Sequence, residues 1–170
     1  MSNTNELAIE KQMPITAQSY KEGMANLAGA VNIVTTADGG EKVGFTATAV
    51  CSVSDSPATL LVCLNRNSSV YETFKTASTV AINTLASGQD DLSNMFGGKA
   101  PMAERFESGE WTKLQTGSPV LVGAAVSFDC QVSHRQSIAT HDVFFCEVVA
   151  LKTTDESGAL LYYQRGYHNL

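Results

Sequence analysis

Apolar side chains in this sequence recur first at helical spacing and then, along most of the chain, at the shorter period of strands. Ala17, Tyr20, Met24, Leu27 and Ala28 fall on one helical face, with Thr16 where an N-cap belongs and Gly29 just past the last periodic position. The spacing predicts one amphipathic helix over residues 17–28. Residues 30–36 are rich in β-branched side chains and end at Asp38-Gly39-Gly40, a turn signal. Residues 42–49 answer them as a hairpin partner. Short apolar runs follow at 59–64 and 80–85, and residues 125–132 alternate Val126, Phe128, Cys130 and Val132 on one face, the mark of a half-buried strand. A long strand is predicted over 142–153, turned by residues 155–158 into a final strand at 160–163, so that the chain closes on an antiparallel hairpin. Two short helices, over 70–77 and 89–95, interrupt the strands. Many strands with few helices predict a mainly β fold, a barrel or a sandwich. Residues 1–14 are polar, without period, and are read as a flexible N-terminal arm ahead of one domain over 15–170.

Composition narrows the function classes. Hydrophobic residues make up 44% and charged residues 16%, a globular profile, and 170 residues suffice for one real core. Lys and Arg number 11 against 17 Asp and Glu, a net charge of -6 with no basic run, which argues against nucleic acid as a partner. The N-terminal residues lack the apolar run of a leader, and no segment approaches the ~20 apolar residues of a membrane helix, so a cytoplasmic protein is expected. Cys51, Cys63, Cys130 and Cys146 lie in apolar, strand-like contexts without a C-x-x-C pair and are read as reduced core thiols. No His or Cys spacing suggests zinc.

Several chemistries lack their required spacing: no G-x-G-x-x-G after a strand, no P-loop, no G-x-S-x-G elbow and no H-E-x-x-H is present. The informative stretch is GFTATAVCSVSDSPATLLVCLNRNSSVYE, residues 44–72. Thr46, Ala47, Thr48 and Ala49 alternate small and hydroxyl side chains at a strand end, which lets a flat ligand approach the backbone closely. Ser69 with Glu72 has the spacing of a capping box, and Asn65, Arg66, Asn67 and Ser68 offer donors to an anion. The plain reading stands beside this one: Thr and small residues are ordinary in strands, and a capping box brings a carboxylate that repels phosphate.

These segments, GFTATAVCSVSDSPATLLVCLNRNSS, VAINTL at 80–85, FGG at 96–98, ERF at 104–106, THDVFFCEV at 140–148 and LLYYQRGYH at 160–168, together resemble the short-chain flavin reductases. That family includes the reductase components of two-component monooxygenases such as the partner of 4-hydroxyphenylacetate 3-monooxygenase. The resemblance implies a split β-barrel of Greek-key type with a few short helices, working as a homodimer with flavin near the subunit interface. By that likeness Thr46, Ala47, Thr48, Ala49 and Val50 would face the isoalloxazine of FMN or FAD, with Ser52 nearby. Cys63, Leu64 and Asn65 would border the ribityl chain, and Arg66, Ser68 and Ser69 would approach the phosphate. His141, Arg165, Tyr167 and His168 would lie where NADH or NADPH docks, although Ala139 and Thr140 replace the family's Gly-Asp lead-in to that histidine. NADH is favoured over NADPH because no Arg or Lys cluster awaits the extra phosphate. His134 is left at the surface, and Trp111 and the phenylalanines are assigned to core or dimer contacts.

The resemblance implies hydride transfer from nicotinamide to flavin. That chemistry belongs to the two cofactors, so no catalytic acid is expected, and the chain would contribute orientation and backbone N–H groups near the flavin. Two functions follow from the likeness: a reductase that hands reduced flavin to a separate monooxygenase or another acceptor such as a cobalt corrin, or a flavin-binding electron carrier without nicotinamide turnover.

Overall fold

The computed structural model describes residues 14–37, 39–155 and 158–170. The arm expected before residue 14 lies outside them, as do Asp38 of the first turn and Glu156 and Ser157 of the last. Helix α1 (Ala17–Met24) begins as the sequence predicts: Ser19 N–H donates to Thr16 Oγ1 at 3.0 Å, and Thr16 N–H donates to Ser19 Oγ at 2.9 Å. It ends at Met24, short of Ala28, because the following residues serve the C-terminal strands. Gln164 N–H donates to the Ala25 carbonyl at 2.8 Å, and strand β1 (Gly29–Ala30) pairs with a strand at Leu160–Tyr163.

Strands β2 (Asn32–Thr36) and β3 (Val43–Ala47) form the expected hairpin, in a register that runs from Asn32 opposite Ala47 to Thr36 opposite Val43. Gly39 and Gly40 in its turn adopt φ of 85° and 93°, where a side chain would be strained. Strand β4 (Val50–Asp55) is mostly exposed, so its pattern carries no core signal, while β5 (Ala58–Asn65) and β6 (Thr79–Thr84) match the apolar runs. Helix α2 (Tyr71–Phe74) lies between these last two strands. Its N-cap is Val70 without a side-chain cap, so the expected Ser69–Glu72 capping box does not form; Glu72 pairs with Lys75 instead.

Helices α3 (Asp90–Gly97) and α4 (Met102–Glu107) and the small hairpin β7 (Trp111–Lys113) and β8 (Pro119–Leu121) follow. Strands β9 (Val126–Ile138) and β10 (His141–Thr153) pair along their whole length. The mostly polar run 133–138 hides the second half of β9 from pattern reading, since there all side chains but the half-buried Arg135 are exposed. Strands β11 (Leu160–Tyr163) and β12 (Gly166–Asn169) end the chain. The expected hairpin of β10 with β11 is corrected: β10 is taken on both sides by β9 and β5, and β11 turns back on β12. No helix among the described residues is long and apolar enough to cross a membrane.

The main sheet is antiparallel, in the order β3-β2-β6-β9-β10-β5-β4. Its two edge strands are joined by residues 48–49 alone, so the sheet curls to bring them together, and Cys63 N–H donates to the Ala49 carbonyl at 3.1 Å in continuation of the β4–β5 pairing. This is a split β-barrel. Val34, Phe45, Val62, Leu64, Phe74, Ile82, Phe144 and Cys146 belong to one core cluster. Val31, Ile33, Leu85, Phe96, Phe106 and Leu160 form a second, with α3 and α4 contributing. Strand β2 is therefore buried on both faces, and each fully buried Phe or Ile stabilises the fold by roughly 1.5–3 kcal/mol. Asn83, wholly buried, joins the layers: it donates to the Ile33 carbonyl at 3.0 Å and accepts from Leu121 N–H at 2.9 Å and Ser127 Oγ at 2.8 Å.

Of the four cysteines, Cys130 and Cys146 are core thiols as expected, with burial pushing Cys146 up to about 12 and Cys130 further still. Cys51 is exposed on β4 and Cys63 is half-buried, its thiol raised by burial, so the core assignment is corrected for these two. His134 is at the surface, its ring 5.7 Å from that of Phe145. Trp111 packs in an aromatic cluster with Phe96 and Phe106 at centroid distances of 5.4 Å and 4.9 Å.

Candidate active site

Where the sheet edges meet, β3 has a hydrogen-bonded neighbour on one side only, β2. Alternate backbone N–H and C=O groups along its other side are therefore left for something beyond the sheet. Thr46, Ala47, Thr48 and Ala49 at the end of β3 line a cavity of about 290 Å³ together with Cys63, Leu64 and Asn65 from the end of β5. The Thr46 hydroxyl donates to the Ser93 carbonyl of α3 at 2.7 Å, tying the edge strand to the helix and leaving that side chain committed. Phe96, Gly97 and Gly98 at the end of α3 close one wall.

The far end of the cavity is a tight turn after β5. Asn65 Oδ1 accepts from Asn67 N–H at 2.9 Å and the Asn65 carbonyl accepts from Ser68 N–H at 2.9 Å, which brings Ser68 and Ser69 to the cavity. Their hydroxyls have no hydrogen-bond partner among the described residues and are available to a ligand. His141 stands across from Asn65 in the β5–β10 register and lines the same cavity, its Nδ1 2.9 Å from the Thr140 hydroxyl.

Beside it, Asp142 fixes the start of β10. Its Oδ1 accepts from Ser137 Oγ and its Oδ2 from Tyr71 OH, both at 2.8 Å, and Arg66 Nε lies 3.9 Å away. Burial raises the Asp142 carboxyl, but the two hydrogen bonds and the charges of Arg66 and Arg135 outweigh it and hold the group below its ordinary 3.8. The bond to Asp142 in turn raises Tyr71.

A larger groove of about 590 Å³ adjoins the cavity, the two sharing Thr48 and Ala49. Val50, Tyr162 and Arg165 line it with Met24 and Leu27. Arg165 and Gln164 form the β11–β12 turn at φ of 63° and 47°, a left-handed pair that holds Arg165 at the groove.

Ten of the sixteen residues singled out from the sequence thus surround one cavity: Thr46, Ala47, Thr48, Ala49, Cys63, Leu64, Asn65, Ser68, Ser69 and His141. Val50 and Arg165 line the neighbouring groove. The other four line neither. Ser52 borders a separate hollow with Phe128 and Val148, and Arg66 turns its guanidinium to the Ala139 carbonyl. The Tyr167 hydroxyl lies 2.9 Å from Ser93 Oγ and 3.1 Å from Asn94 Oδ1, and His168 is exposed with Nε2 3.2 Å from the Tyr163 carbonyl. His141 and Arg165 are therefore on different cavities rather than together.

Sequence reasoning missed Arg105 of α4, which lines the cavity from behind the 96–98 turn. In the sequence it stands only within the ERF segment of the resemblance, where an Arg between Glu104 and Glu107 reads as a solvated charge and no spacing marks it as buried.

Three comparisons bear on this arrangement. The model of the family described as "Flavin reductase like domain" matches residues 24–170. A relative named FMN reductase (NADH) RutF from Stutzerimonas stutzeri is 54% identical over 157 residues, covering 92% of this chain and 90% of that protein. Among solved structures, a candidate flavin reductase from Haemophilus somnus aligns with TM-score 0.89 and 43% identity, over 92% of this chain and all of that one. Flavin reductase PheA2 aligns with TM-score 0.83 and 28% identity, over 92% of this chain and 99% of its own.

Proposed function

Because the chain belongs to the flavin reductase like domain family, we propose that it transfers hydride from NADH to a flavin, FMN in first place, at the cavity where β3 and β5 end. The observation that carries this reading is the outer edge of β3, which no other strand covers along that cavity. The rim of a flavin's pyrimidine ring alternates acceptors and a donor, as a strand edge does, and the Thr46 hydroxyl is already spent on Ser93, so the backbone holds the ring. Thr46, Ala47, Thr48 and Ala49 would take the isoalloxazine, Cys63, Leu64 and Asn65 the ribityl chain, and Ser68 and Ser69 the phosphate.

A bound flavin supplies the hydride acceptor and the protein supplies none. The chain's share is to hold the ring against β3 and to aim N–H groups where negative charge develops on it. The adjoining groove, lined by Thr48, Tyr162 and Arg165 among others, is the place for the nicotinamide. His141 would then serve the flavin's polar tail. At its phosphate end the cavity shares Ser69, Val70, Gly98 and Arg105 with a recess of about 440 Å³, which leaves room for FAD as well as FMN.

Thr48, Ala49, Asn65, Ser69 and His141 on the rim are all exposed, an open mouth suited to a flavin that leaves for a separate monooxygenase or another acceptor. The unit is taken as residues 15–170, working in the cytoplasm as a homodimer. Purified protein, NADH and free FMN under air should show steady loss of the nicotinamide absorbance. No loss, with flavin bound, leaves an electron carrier; no flavin bound removes the reading altogether.

A further inference from the structure

Arg105 is only 6% exposed, yet no carboxylate among the described residues pairs with its guanidinium. Its N–H groups go to carbonyls instead. Nε donates to Ala100 at 2.9 Å, Nη1 to Phe96 at 3.0 Å and to Gly44 at 3.4 Å, and Nη2 to Gly98 at 2.9 Å. Four donors are spent in this way, and the fifth, on Nη2, has no acceptor among the described residues. Carbonyl dipoles solvate a cation without cancelling its charge, and a buried charge without a counterion is costly.

The position of this charge matters. Arg105 lines both the 290 Å³ cavity and the 440 Å³ recess, at their junction with Ser69 and Gly98. The other charges nearby do not replace it. Arg66 faces Ala139 and Asp142, Lys99 and Glu41 are exposed on the recess, and Glu72 is held by Lys75. The junction therefore gathers one uncompensated buried cation and the free hydroxyl of Ser69, with that of Ser68 lining the same cavity, and such groups are ligands for an anion.

We propose that Arg105 is the buried counter-charge for the phosphate of the flavin, acting through its field and its one unspent N–H. The inference rests on the flavin reading above and adds to it the residue that distinguishes a phosphorylated flavin from its parent.

The test titrates wild type, Arg105→Met and Arg105→Lys with FMN and with riboflavin, which has the same ring and ribityl chain but no phosphate. Wild type should bind FMN tighter than riboflavin, and Arg105→Met should reduce that ratio roughly tenfold or more, because a charge-assisted contact is lost. Arg105→Lys should fall between the two. A purely structural role would weaken both ligands alike and leave the ratio unchanged, and that result overturns the proposal. Should Arg105→Met fail to fold, Arg105→Gln decides: its amide can still donate to two of the carbonyls but carries no charge, so the ratio should drop severalfold, and an unchanged ratio again overturns the proposal. If wild type binds neither ligand, the flavin reading fails first and this inference with it.

Discussion

At the scale of single residues, the cavity wall depends on one glycine. A Cβ at Gly44 would stand 2.8 Å from Phe96 Cε1 and 3.1 Å from the Val34 carbonyl oxygen. Phe96 is fully buried and stacks edge-on against Phe106 at 5.2 Å, so it has nowhere to go. Gly44→Ala should therefore cost about 1–3 kcal/mol, read as a fall of several degrees in Tm, and FMN affinity should drop with it as Phe96 shifts at the cavity wall. A variant that melts with wild type would show the wall to be soft. Residues 46–49 could be singled out from the sequence because small and hydroxyl side chains at a strand end are a local pattern. Arg105 could not, since its burial comes from carbonyls of Gly44, Phe96, Gly98 and Ala100 that only the folded chain brings around it.

At the scale of elements, the rim of the site is set by the pairing of β5 with β10, and Asp142 pins that pairing to α2 and β9 through Tyr71 and Ser137. Its carboxyl is held below 3.8, so its contribution to stability is complete at neutral pH and is lost as pH falls through the depressed value. Asp142→Asn should then be less stable than wild type by on the order of 1 kcal/mol at neutral pH, with the gap closing in acid below pH 3.8. Denaturant unfolding at both pH values checks this, and a gap that persists in acid removes the assignment. The elements themselves were legible in proportion to how much core they face. Strands β2, β5, β6 and β10 carry apolar runs, whereas β4 and the outer half of β9 are mostly exposed and carry no core pattern. The cap of α2 misled for a different reason: Ser69–Glu72 has the right spacing, but the turn after β5 delays the helix until Tyr71 and Lys75 draws the carboxylate away.

At the scale of the whole molecule, α1 buries none of its residues, and Tyr20, Met24 and Leu27 are 60%, 44% and 63% exposed. Met24 and Leu27 belong to the larger groove, so the homodimer proposed above would cover this face and complete the nicotinamide side of the site. Light scattering should give twice the chain mass, and Met24→Glu with Leu27→Glu should shift it toward monomer and weaken the apparent affinity for NADH; a wild-type monomer would end the idea. The sequence by itself determined the strand-rich class, most of the element positions and the segment that lines the cavity, because periodicity, turn chemistry and small-residue patterns act between near neighbours along the chain. Tertiary structure alone decided which strand ends meet, that β10 pairs with β9 and β5 rather than β11, that His141 and Arg165 stand on separate cavities, and that Arg105 is buried. Those outcomes depend on edges and charges that are far apart in sequence, and their free energy exists only once the barrel has closed.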